Sequence, residues 1–238
     1  MIRLDKLLAE ANIGSRSQVK NFIRKGRVTV AGETVKNPDL KVPEDVIVTF
    51  DGNQIRHQKF YYYMLHKPAG VVSATEDNRD QTVLDLLKPL PAKDLFPVGR
   101  LDKDTEGLLL ITNDGQLSHQ LLSPRKHVNK VYFAKVTGIV TEADIKAFKE
   151  GLDIGDENIT KPAILSIRNI VEEENCTEVL ITIYEGRFHQ IKRMFQAAEK
   201  TVIYLKRLSM GSLKLDETLA LGEYRELTED ELNSLKQN

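Results

Sequence analysis

Four consecutive apolar residues, Leu108-Leu109-Leu110-Ile111, follow a glycine and run into the turn-forming Asn113-Asp114-Gly115. So short and uniformly apolar a run belongs to a buried strand, and a buried strand needs a sheet around it. Directly before it lies the polar turn Arg100-Leu101-Asp102-Lys103-Asp104-Thr105-Glu106-Gly107. No other stretch sets a carboxylate (Asp102), a basic neighbour (Arg100), a hinge-like glycine (Gly107) and a buried strand so close together. That is the combination a reactive carboxylate needs, which makes Asp102 the candidate nucleophile.

The chain has 238 residues, enough for one large or two modest domains that bury roughly 70% of their unfolded surface without a covalent staple. Its single cysteine, Cys176, cannot form an internal disulfide. There is no signal-like start and no apolar run of membrane-spanning length, so no membrane is expected and the cytoplasm is the expected address.

A net charge of -1 hides a gradient. Residues 1–60 hold 11 Lys and Arg against 7 Asp and Glu, whereas residues 216–238 hold 2 against 7. The first segment therefore has the footprint of an anion-binding module. Leu4, Leu7, Leu8 and Ala11 predict a helix that Asn12-Ile13-Gly14 ends; Ser15 with Gln18 predicts a capping box opening a second helix, with Val19, Phe22 and Ile23 inward and Gly26 closing it. On the outer side Arg16, Lys20 and Arg24 follow at i, i+4 and i+8, with Lys25 and Arg27 beyond. Like charges stacked along one face repel unless a polyanion neutralises them. Strands are expected at Val28-Thr29-Val30 and Val46 to Phe50, joined through the turn Ala31-Gly32-Glu33.

The stretch RLDKLLAEANIGSRSQVKNFIRKGRVTVAGETV resembles the small S-four-type RNA-binding module over about residues 1–50. The resemblance implies that the basic helix rests on RNA phosphates, and Arg3, Arg16, Lys20, Arg24, Lys25 and Arg27 are the candidate RNA contacts of this segment. Where the module usually carries Val-Asn-Gly, this chain has Val30-Ala31-Gly32.

Residues 51–60 are polar and aperiodic and form the expected linker, which puts the domains at 1–58 and 59–238. The second opens with the strand-like Tyr61 to Leu65, then His66-Lys67-Pro68-Ala69-Gly70, whose proline and glycine force a turn. Further strands are expected at 108–112, 131–137, 163–168 and 178–184, and helices at 82–87, 116–121, 141–150 and 188–198. Strands and helices do not alternate strictly, so the expected fold class is α+β: a small N-terminal α/β module followed by a mixed, largely antiparallel sheet.

Two other chemistries could be built around Asp102. Asp102, Asp104, Glu106 and Gly107 match the start of a calcium loop, but position twelve is Asn113 where a bidentate glutamate is required. Asp102 and Asp104 could act as a glycosidase pair, yet the chain has no tryptophan to carry a sugar. The five histidines are too scattered for a metal set, and Cys176 stands beside the acidic 172–174, so neither zinc nor a cysteine nucleophile is expected.

PVGRLDKDTEGLLLITNDG at 97–115, KVYFAKV at 130–136 and EGRFHQIKRMF at 185–195, with HKPAGVVS at 66–73, resemble in order and spacing the RsuA/RluB branch of bacterial pseudouridine synthases. Together with the N-terminal module the resemblance covers nearly the whole chain. It implies that Asp102 is the reactive aspartate, Arg100 helps expel the target base, Tyr132 lies against the flipped uracil, Lys192 is the basic partner of the aspartate, and Leu205 packs beneath the pocket. Arg187 and Arg193 are further candidates for RNA contact. Many relatives carry Arg where Lys192 stands, and a lysine keeps the charge without the bidentate fork.

The chemistry is consistent with those roles. Turning uridine into pseudouridine breaks the bond from N1 to ribose and rejoins the base through C5 with no redox change and no group gained or lost, so no cofactor is expected. A carboxylate can serve by attack at ribose C1′, by attack at base C6 or by assisting removal of a sugar proton. Expelling a base from its stack costs a few kcal/mol, part of which Tyr132 can return by stacking. The expected partner is small-subunit rRNA or its assembly particle, with the protein a monomer. A large-subunit rRNA target and a non-catalytic assembly factor are the alternatives; the acidic C-terminal segment argues against the first, since such relatives often end in basic tails.

Overall fold

The computed structural model describes residues 1–11, 13–43, 46–55, 59–90, 92–123 and 126–237. Asn12 of the expected helix end, residues 56–58 of the expected linker, and His57 lie outside them. The chain divides into two compact units, Met1–Lys59 and Phe60–Asn238.

In the first unit, β1 (Ile2–Arg3) runs straight into α1 (Leu4–Glu10), and α2 (Arg16–Arg24) follows. Ser15 and Gln18 form the expected capping box. Leu4, Leu7, Leu8, Val19 and Ile23 are fully buried together with Val28, so both helices present their apolar stripe to β2 (Val28–Val30) and its partners. After β3 (Glu33–Thr34) and β4 (Lys41–Val42), β5 (Val48–Phe50) pairs antiparallel with β2, and β6 (Asn53–Ile55) with β5. The hairpin turn from β2 to β3 places Ala31 at φ 49° and Gly32 at φ 88°. Glycine is suited to that region, whereas alanine there is strained; asparagine would be less so.

The second unit is one mixed sheet with helices. Its strands are β7 (Tyr62–Lys67), β8 (Phe96–Pro97), β9 (Glu106–Thr112), β10 (Lys130–Thr137), β11 (Ile164–Val171), β12 (Cys176–Ile183), β13 (Val202–Met210), β14 (Leu213–Lys214) and β15 (Tyr224–Glu226). They lie in the order β11-β12-β10-β13-β9-β7-β15, with β8 on β9 and β14 on β13. The β9–β13 pair is parallel and the other strand pairs of this sheet are antiparallel. Leu108 to Ile111 on β9 are all fully buried, and they divide between two cores: Leu109 and Ile111 face one, Leu108 and Leu110 the other. That is why the run shows no alternation in sequence.

Helices α3 (Gly115–Leu122), α4 (Glu142–Glu150), α5 (Gln190–Ala197) and α6 (Glu229–Lys236) complete the unit. Asp114, Thr141 and Thr228 cap α3, α4 and α6 through side-chain oxygens. Phe148 of α4 meets Phe195 of α5 at 4.8 Å between ring centroids, which fixes α5 against the core. Two expectations are corrected. In place of a helix over 82–87 there is one short 3-10 turn, Asp85–Leu87, because Asp85 accepts bonds from Thr82 N and Oγ1 and holds that segment in a local turn. The helix expected from 188 begins at Gln190, since His189 takes a left-handed conformation at φ 50°.

Candidate active site

A cavity of about 610 Å³ opens in the second unit, and Arg100, Asp102, Tyr132, Lys192 and Leu205 all line it. The turn bearing Asp102 is held from below by the segment 66–73. Lys67, fully buried at the end of β7, donates from Nζ to Thr105 O at 2.8 Å, Pro68 O at 3.0 Å, Asp102 O at 3.1 Å and Lys103 O at 3.3 Å. Gly70 N donates to Lys103 O at 2.7 Å. At the other end Ser73 Oγ accepts from Leu101 N at 3.1 Å and donates to Leu101 O at 2.9 Å. Asp102 thus leaves a backbone pinned on both sides, with its carboxylate partly exposed.

A different contact explains the glycine at the second position of β9. A Cβ on Gly107 would lie 2.3 Å from Arg207 O and 2.6 Å from Arg207 N, and the residue sits at φ +106°. Gly107 is therefore not a hinge: it is the point where β9 closes on β13, opposite Arg207.

The cation of Asp102 comes from α5. Lys192 Nζ lies 3.1 Å from Asp102 Oδ2 and 2.5 Å from Asp104 Oδ1. Burial opposes the Lys192 charge, but the carboxylates of Asp104 and Asp102 outweigh it and hold the ammonium above the usual lysine range. Asp104 in turn is held below the usual carboxylate range, the Lys192 bond prevailing over burial. Asp104 is thus an ion-pair partner of Lys192. His189 Nε2 also approaches Asp102 Oδ1, at 3.6 Å, and its ring stacks on Phe188 at 3.8 Å. Arg100 is exposed at the cavity and has no ion pair with Asp102 among the described residues.

Tyr132 and Leu205 come from adjacent strands of the sheet. Tyr132 stands opposite Arg207 and Ala134 opposite Leu205 in the β10–β13 register, and both Tyr132 and Leu205 are buried. Three cations that the sequence did not single out lie here: Lys67 below the Asp102 turn, and Lys130 and Arg207 on the cavity wall. Burial pushes Lys67 down to about 8. Lys130 falls to about 8 through burial first and then the nearby Arg207. A lysine ending an apolar strand just before Pro-Ala-Gly was the available signal for Lys67.

A pH dependence follows. As pH rises the folded chain releases the Lys130 proton near 8, while the unfolded chain keeps it until about 10.5. Between those values the unfolded state binds more protons, so the folded state gains stability with rising pH. Urea unfolding of the wild type and Lys130→Met is expected to show the variant at least as stable at pH 7, with its advantage shrinking by pH 10. A difference unchanged by pH would contradict the buried charge.

Four expected RNA contacts are already engaged inside the protein. Arg187 binds Asn158 O at 2.6 Å, Ile159 O at 2.8 Å and Glu185 at 3.2 Å. Arg193 binds Asp156 at 2.5 Å, along with Ile154 O and Phe188 O. Both therefore staple the 154–159 segment to the start of α5. In the first unit, Arg3 binds Asp5 and Asp39, and Arg27 binds Asp51 while lying over the rings of Phe22 and Phe50. Lys20 is 3.7 Å from Asp5 Oδ2. Arg16, Arg24 and Lys25 are exposed and carry no ion pair among the described residues. No group of three metal-binding side chains occurs among the described residues, and no described helix is long and apolar enough to cross a membrane.

Known proteins resemble this chain over nearly its whole length. The pattern of the family described as RNA pseudouridylate synthase matches residues 61–197, and that of the S4 domain matches residues 2–48. An uncharacterised RNA pseudouridine synthase, YtzG, of Bacillus subtilis is 48% identical over 99% of both chains. The ribosomal small subunit pseudouridine synthase A of Escherichia coli is 42% identical over 98% of this chain and all of its own. A crystal structure of a pseudouridylate synthase superposes with a TM-score of 0.69 at 37% identity, covering 99% of this chain and all of that one.

Proposed function

The chain belongs to the RNA pseudouridylate synthase family and carries an S4 domain, and from that premise we propose that it isomerises one uridine of small-subunit rRNA, acting as a monomer. The observation that carries the site assignment is the Asp102–Lys192 pair, 3.1 Å apart, on a cavity that Tyr132 and Leu205 also line. About 610 Å³ suits a ligand of nucleotide size. The choice of small-subunit rRNA is supported by the names of the relatives that match over the full chain.

In this reading Asp102 is the reacting carboxylate and Lys192 keeps it charged and oriented. Tyr132 stacks on the extruded uracil, Leu205 packs beneath it, and exposed Arg100 occupies the space the base vacates in the RNA. Mapping carbodiimide-dependent reverse-transcription stops on rRNA from cells lacking the protein tests the reading. One stop in small-subunit rRNA should vanish and return with the wild-type gene. Loss of a large-subunit stop instead would move the target, and no change at all would remove the enzymatic assignment.

The S4 unit supplies affinity in this reading, because its cationic helix carries no candidate nucleophile. Replacing Arg16, Lys20 and Arg24 together by alanine is expected to weaken rRNA binding and to flatten its dependence on log salt by up to about three contacts' worth. Arg16 and Arg24 should account for most of this, since Lys20 already faces Asp5. Turnover at saturating RNA should change little. An unaltered salt slope would make the stripe an ordinary solvated face.

A further inference from the structure

Two buried cations on the cavity wall have no carboxylate to neutralise them among the described residues. Lys130 and Arg207 keep 9% and 2% of their surface, and both line the cavity. Lys130 Nζ donates to Val128 O at 3.0 Å, and Arg207 Nε donates to Leu108 O at 2.7 Å. Arg207 Nη2 is buried with no hydrogen-bond partner among the described residues. Neither side chain forms an ion pair with an acid among the described residues. Buried charges are ordinarily paired, and two like charges left together make a site that an anion completes.

The register of the sheet narrows which anion. Lys130 and Tyr132 occupy alternate positions on β10 and share its buried face, and Arg207 stands directly opposite Tyr132 on β13. A planar ring seated on Tyr132 would lie on the sheet face that carries these cations. A backbone phosphate would have to reach an inner wall shared with Ile183 and Leu205 and shed its hydration there, a far costlier burial than that of a charge spread over a heterocycle.

We propose that Lys130, supported by Arg207, is a catalytic residue that stabilises the negative charge developing on the uracil; this rests on the assignment of Asp102 and Tyr132 above. When the C1′–N1 bond breaks, its electron pair stays with the base and spreads over N1, O2 and O4. If a carboxylate adds at C6 instead, the charge goes to O4. With the C1′–N1 bond broken on every course, the C1′–C5 bond then forms, and any bond from the carboxylate to C1′ or C6 breaks and frees Asp102. Any proton taken from the sugar returns, C5 gives up its proton and N1 takes one, so the composition of the nucleotide is unchanged. By each course the charge reaches the carbonyl oxygens, where an ammonium already in place needs no reorganisation to donate.

The test is single-turnover cleavage of the glycosidic bond in RNA carrying uridine or 5-fluorouridine at the position the wild type modifies. Lys130→Met, with Lys130→Gln as a second variant should the first misfold, is expected to be about a hundredfold slower on uridine, as when one preorganised donor is removed. The RNA dissociation constant should hold. Because fluorine itself withdraws charge from the base, the deficit should shrink clearly on 5-fluorouridine. Equal deficits on the two substrates, weakened binding at an unchanged rate, which would mark a phosphate contact, or a wild-type rate would each overturn the proposal. An active Asp102→Asn protein would instead show that the cavity had been misassigned, whatever Lys130 does.

Discussion

Asp102→Asn is expected to abolish pseudouridine formation, a loss of at least about 10⁴-fold, the order seen when an enzyme's nucleophilic machinery is removed. The substitution keeps shape and hydrogen-bonding capacity while taking away the negative charge and nearly all nucleophilicity. The fold should survive, since the turn is held through its backbone: Lys67 and Ser73 bind main-chain atoms of residues 101–105 and never the Asp102 side chain. RNA affinity should persist as well. A modification assay beside a binding measurement separates the two, and a variant that neither bound nor modified RNA would point to a folding role instead.

Lys192→Met is the second large effect. It leaves two carboxylates, Asp102 and Asp104, without the cation that both contact. The turnover rate should fall about 10²- to 10³-fold, the scale of one preorganised electrostatic partner, with little change in RNA binding. Lys192→Arg should be tolerated, because a guanidinium reaches the same acids with a fork in place of a point charge. Asp104→Asn provides the contrast. Its side chain is 71% exposed, and an exposed ion pair contributes at most about 1 kcal/mol, so the rate should change by less than about fivefold. Equal losses of rate and affinity in Lys192→Met would make the lysine a phosphate contact.

Much of this site was legible because its parts come from short, punctuated segments. Asp102 precedes an apolar run, and Ser15 and Gln18 mark a helix start, each a local pattern, whereas Tyr132, Lys192 and Leu205 were legible only through the family resemblance. What escaped is non-local. Strand β13, central to the sheet, was not expected: Lys206-Arg207 interrupts its apolar character, and nothing local shows that Arg207 is buried and bonded to Leu108 O. Gly107 looked like a hinge because its reason, contact with the Arg207 backbone, lies a hundred residues away. Charge counting similarly overstated the RNA surface. Arg3, Arg27, Arg187 and Arg193 have acid or carbonyl partners that sequence spacing does not show, and Asp104, read as a turn residue, faces a helix 88 positions later.

The central claim is that this chain converts a small-subunit rRNA uridine through Asp102. It is tested most directly by incubating the wild type and Asp102→Asn with unmodified small-subunit rRNA, free and in its assembly particle, and scoring carbodiimide-dependent stops. One new stop with the wild type and none with the variant is the predicted result; an undiminished stop with Asp102→Asn, or none with the wild type on either substrate, would contradict it.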